Sequence, residues 1–168
     1  MGSSSPEDRT PRMVRIHTLL DESRVLPRLA ARDRAGVLRE ISERLEACTP
    51  GLDGTLLERL LKREELGTTA VGKGVAVPHC RAKGIKAPAL ALGLSADGVT
   101  FQAVDGKPSC VFFVLVSPED NPGSGLHVLA AIAGLVRRSR SLTSKLLKAT
   151  DAAAVIEALR AEEEKTRA

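Results

Sequence analysis

The chain has no tryptophan and no tyrosine, and its aromatic residues are three phenylalanines, Phe101, Phe112 and Phe113. Single-stranded nucleic acids are held by stacking bases on aromatic side chains, so that mode of binding is excluded and no nucleic-acid partner is expected. Long apolar runs are missing too. Nothing approaches the roughly 18 uninterrupted apolar residues of a membrane span, and the opening MGSSSPEDRT lacks the apolar segment of a secretion signal. The expectation is therefore a cytoplasmic protein with no direct membrane insertion. Cys48, Cys80 and Cys110 are odd in number and widely spaced, which fits neither a disulfide framework nor a paired-thiolate zinc site. No metal and no cofactor is called for.

With 43% hydrophobic and 27% charged residues in 168, the composition is that of one globular domain. Residues 1–12 are serine, proline and charge without apolar period and read as a disordered leader, leaving 13–168 as a single domain. The net charge of +4 is small, but acid is absent from one window, Leu66 to Ala96. Lys73, Arg81, Lys83 and Lys86 stand in that window, so its surplus of four equals that of the whole chain. These four predict a docking face for an acidic partner.

Val37, Leu38, Ile41, Leu45 and Cys48 recur at helical spacing from Arg34 and stop at Thr49-Pro50-Gly51. Asp53 is placed to cap a second helix with the stripe Leu56, Leu57, Leu60 and Leu61; Arg63 follows Leu60 by three and can turn inward with it. The middle of the chain is strand-like at Val75–Val77, Ala89–Ala96 and Cys110–Ser117, the last buried on both faces. Asp97-Gly98 and Asp105-Gly106 each predict a hairpin turn. A helix from about Leu126 to Val136, apolar nearly all round, is expected to be central, followed by helices at Leu142–Lys148 and from Asp151 to about Glu164, the last solvated along its glutamates. This order gives an α/β sandwich, a mixed sheet of about five strands flanked by helices.

Gly67 to Gly74, GTTAVGKG, has the glycine and lysine spacing of a nucleotide P-loop but fails as one. Its last position lacks the hydroxyl that holds magnesium, and the loop leaves a helix to enter a strand, the reverse of the required order. Thr69, Gly72 and Gly74 suit a different task, offering backbone amides to a phosphoryl group at close approach. The strand that follows ends at Pro78, which presents His79 at its tip. An imidazole is largely neutral near pH 7 and can attack phosphorus without a separate base. Cys80 beside it suggests a Cys-His pair, yet neighbours on a strand point to opposite faces. His17 has no identifiable partner in the sequence. His127 follows Ser124, placed to cap a helix whose first turn attracts anions.

Arg63 to His79, with Ala89–Leu94, Val104-Asp105-Gly106-Lys107-Pro108, the Val111–Val116 strand and His127-Val128-Leu129-Ala130, resembles the type-2 enzyme IIA family of the bacterial phosphoenolpyruvate-dependent phosphotransferase system. The resemblance covers roughly Leu19 to Leu159 and includes mannitol, fructose and nitrogen-regulatory members. It implies a phosphocarrier in which His79 accepts a phosphoryl group from a histidine-phosphorylated carrier protein, with Arg63 and His127 lining the site. The acceptor is then a IIB component or a regulatory target protein. No fused IIB or IIC domain is present in the chain, which favours a nitrogen-regulatory role over sugar uptake.

Overall fold

The computed structural model describes residues 13–167; the expected leader, residues 1–12, lies outside them. β6 (Ser109–Pro118) forms the middle of a six-stranded sheet because its side chains are apolar on both faces, with Val111 through Val116 fully buried. Val111, Phe113 and Leu115 enter one core and Phe112, Val114 and Val116 the other. β5 (Ala89–Val99) pairs with it antiparallel, and β1 (Val25–Leu26) lies parallel beyond β5. On its other side β6 carries β3 (Val75–Ala76) and then β4 (His79–Ala82), both parallel, and β2 (Ala70–Gly72) pairs antiparallel with β3. α1 (Arg34–Cys48) and α2 (Leu56–Glu65) cover one face; α3 (Pro122–Arg138), α4 (Leu142–Lys148) and α5 (Ala152–Arg167) cover the other. The expected sandwich is present, with one strand more than counted from sequence.

Four local expectations are corrected. Asp97-Gly98 makes no hairpin: β5 runs through it, and the register with β6 shifts between Leu94 and Val99. Gly98, at φ 78°, lies so near Pro108 that a Cβ there would meet the proline Cβ at 2.8 Å, so the strand bulges where reversal was expected. α2 is not capped by Asp53, whose Oδ1 instead accepts from the Thr55 amide and hydroxyl; the Leu56 amide at the helix start donates to Glu46. α3 is a covering helix, because its outer positions Leu126, Ala130 and Ala133 are exposed while Val128, Ile132, Leu135 and Val136 enter the core from one side. Finally, Glu162 and Glu163 of α5 are buried, since each accepts several donors from elsewhere in the fold.

β3 and β4 are two halves of one interrupted line alongside β6. Pro78 separates them, its carbonyl accepting from the Leu115 amide at 2.9 Å. Register then sets the faces: His79 lies opposite Leu115 and Arg81 opposite Ser117, toward α3, while Cys80 and Ala82 turn toward α2. His79 thus opens a strand of its own where sequence placed it at the tip of the preceding one.

Candidate active site

His79 lies in a cleft of about 480 Å³ between the C-terminal half of α2 and the first turns of α3. Cations line it from two sides: Arg59, Lys62 and Arg63 from α2, and Arg81 from β4. Cys80 and Ser117 join them, and Pro122, Leu126 and Leu129 of α3 form the apolar wall. α3 is seated tightly here, because a Cβ on Gly125 would fall 1.8 Å from the Ser117 hydroxyl oxygen.

The imidazole of His79 is oriented by its own backbone. Nδ1 lies 2.8 Å from the Val77 carbonyl, which can only accept, so Nδ1 carries the hydrogen and the lone pair sits on Nε2. A neutral ring with a free nitrogen among cations is suited to receive an anionic electrophile. Arg63 is half-buried and donates from Nη1 to the Gly67 carbonyl at 2.9 Å, which fixes the guanidinium at the end of α2. Arg59 is held by the Thr55 hydroxyl at 3.0 Å and the Arg81 carbonyl at 3.4 Å. Burial pushes the Cys80 thiol up to about 12, against the opposing pull of Arg59, so the group stays a thiol at neutral pH. Among the described residues no group of three or more His, Cys, Asp or Glu could hold a metal ion.

Of the residues singled out from sequence, His79, Arg63 and Arg81 meet in the cleft. His127 is exposed in the second turn of α3, beside Leu126 of the lining. Ser124 does not cap that helix: Asn121 holds the cap position, and the Ser124 hydroxyl donates back to its carbonyl at 2.7 Å. Lys83 and Lys86 are exposed on the loop leaving β4. Lys73, expected beside them, is elsewhere, its ammonium donating to the Val136 and Arg137 carbonyls at the far end of α3.

The expected phosphoryl cradle is also elsewhere. Lys73 and Gly74, at φ 55° and 78°, form the two-residue turn between β2 and β3, and Gly72 packs near Asp105, so Gly72 and Gly74 do not line the cleft. Thr69 is buried, with its hydroxyl on Glu64 and its carbonyl accepting from Val77. Both features trace to the hairpin, which needs the positive φ for its own closure. Arg59 and Lys62 were missed from sequence. Their spacing with Arg63 on one face of α2 was the available signal.

An α/β sandwich with a free imidazole nitrogen among arginine side chains is the layout of a protein that handles an anionic group. Residues 18–162 match the family model described as phosphoenolpyruvate-dependent sugar phosphotransferase system, EIIA 2. The chain belongs to this family and is a phosphocarrier component of that system. It is 34% identical over 128 residues to a nitrogen regulatory protein of Pseudomonas aeruginosa, covering 76% of this chain and 83% of that one. With a nitrogen regulatory protein of Bradyrhizobium diazoefficiens it shares 35% over 149 residues, 86% and 94% of the two chains. The crystal structure of nitrogen regulatory protein IIA-Ntr from Neisseria meningitidis superposes with a TM-score of 0.78 at 32% identity, covering 86% and 98%.

Proposed function

We propose that His79 accepts a phosphoryl group on Nε2 from a histidine-phosphorylated carrier protein, and that the protein acts as a nitrogen-regulatory-type switch whose phosphorylation state selects its target. The observation that carries the chemistry is the hydrogen bond from Nδ1 to Val77, which leaves Nε2 as the free nitrogen in a cationic cleft. The lone pair of Nε2 attacks phosphorus, and the N–P bond of the donor breaks with its electron pair returning to the donor imidazole. The phosphoryl group passes from ring to ring, with the new positive ring charge shared through Nδ1–H with the carbonyl. Arg63 presents paired donors to the phosphoryl oxygens, and His127 reaches them from α3. Arg81, Lys83 and Lys86 steer acidic partners.

The regulatory half rests on the relatives named nitrogen regulatory proteins, which match over most of their own length. A sugar-specific role would instead pass the group to a IIB component. We place the protein in the cytoplasm as a single domain over 13–168; among the described residues no helix is long and apolar enough to cross a membrane. Incubation with phosphoenolpyruvate, the first enzyme of the system and its carrier should add one phosphoryl mass, acid-labile and stable to base, absent in His79→Ala. Full labelling of His79→Ala would remove the proposal. Equal affinity of both forms for every cytoplasmic partner, with rapid transfer to a IIB component, would replace regulation by transport.

A further inference from the structure

The cleft is lined by one buried polar side chain, and no hydrogen bond among the described residues accounts for it. Ser117 is 7% exposed, lies on the floor beneath the apolar wall of α3, and its hydroxyl has no partner among the described residues. Its place is fixed twice over. The parallel register of β4 and β6 sets it opposite Arg81, on the same face as His79. Gly125 presses the backbone of α3 against it, and any side chain there would occupy the hydroxyl's position.

A transferring phosphoryl group spreads its charge over three oxygens, and donors are needed on more than one side. Arg59, Lys62 and Arg63 approach from α2 and Arg81 from the strand, whereas on the α3 side the lining residues Pro122, Leu126 and Leu129 offer no donor and His127 stands exposed outside the lining. The side beneath α3 is therefore served from the floor. We infer that Ser117 is a catalytic residue whose hydroxyl donates a hydrogen bond to a phosphoryl oxygen on His79, completing the set that the cations begin. The inference rests on the proposed phosphorylation of His79 and adds to it a group that the sequence did not single out. A hydroxyl held in place on the wall of a cleft costs little reorganisation when charge develops there, which is where a donor has most effect.

The test uses phosphoramidate, a small histidine-phosphorylating reagent, alongside the natural carrier, on the full-length protein and on Ser117→Ala and Ser117→Cys. Phosphoryl gain should slow at least about tenfold in Ser117→Ala, and about as much in Ser117→Cys, whose thiol is a weak donor of similar shape. The phosphorus NMR resonance of the phosphoprotein should titrate at higher pH in both, because a donor to the dianion has been removed. Thermal unfolding midpoints that match the parent assign the loss to the site. Unchanged rates and an unchanged phosphorus titration overturn the role of Ser117 while leaving phosphorylation of His79 intact. Failure of the parent protein itself to gain phosphate on His79 overturns the underlying reading instead.

Discussion

At the scale of single residues, the chemistry depends on which atom each side chain has left to offer. His79 commits Nδ1 to Val77 and keeps Nε2. Arg63 commits one nitrogen to the Gly67 carbonyl and keeps the rest of its fork. A lysine at 63 has a single ammonium and cannot hold that carbonyl while bridging two phosphoryl oxygens. Arg63→Lys should therefore slow transfer from the carrier by at least about tenfold, equivalent to about 1.4 kcal/mol at the transition state, with the unfolding midpoint little changed. Rapid-quench measurement of phosphoryl transfer decides it, and a parental rate would remove Arg63 from the chemistry. Cys80, by contrast, faces α2 and keeps its proton, which answers the Cys-His pair that adjacency in sequence suggested.

At the scale of elements, the two ends of α3 do different work. Its first turns wall the cleft, and its last carbonyls receive Lys73, a cation favourably placed against the negative end of the helix dipole. Lys73→Ala should cost about 1 kcal/mol and lower the unfolding midpoint by about 2–4 °C, with phosphoryl acceptance unaltered. Loss of acceptance with full stability would return Lys73 to the site where sequence placed it. The long elements were legible because their periodicity records burial: the stripe of α1 and the unbroken apolar run of β6 each admit one reading. β1, β2 and β4 have two to four residues and owe their existence to pairing partners far along the chain, which no local pattern reveals. His79 and Arg63 were legible through local order around the loop and α2. Ser117 was not, since its significance comes only from the approach of Gly125 and the register with Arg81.

At the scale of the whole molecule, α5 ties the α3 side of the sandwich together through two buried carboxylates. Glu163 accepts from the Ile16 and His17 amides and from His17 Nδ1, which gives His17 the partner that sequence did not supply. Glu162 accepts from Ser139, Ser141 and Lys145. Burial works against its ionisation, but Lys145 and the hydroxyls outweigh that, and its carboxyl is held below the ordinary 4.5. A folded value below the unfolded one gives stability that is complete above about pH 4.5 and is lost as pH falls through the lower folded value. Thermal unfolding followed from pH 7 to pH 3 should show that acid limb, and Glu162→Gln should be less stable at neutral pH with a flatter limb. An identical pH profile in the variant would exclude Glu162 as its source. All of this scaffolding serves one nitrogen atom, and heteronuclear NMR of the phosphorylated protein carrying nitrogen-15 histidine reads that atom directly. Phosphorus should couple to Nε2 of His79, with Nδ1 still protonated toward Val77; coupling to Nδ1, or to a nitrogen of His17 or His127, would contradict transfer to Nε2.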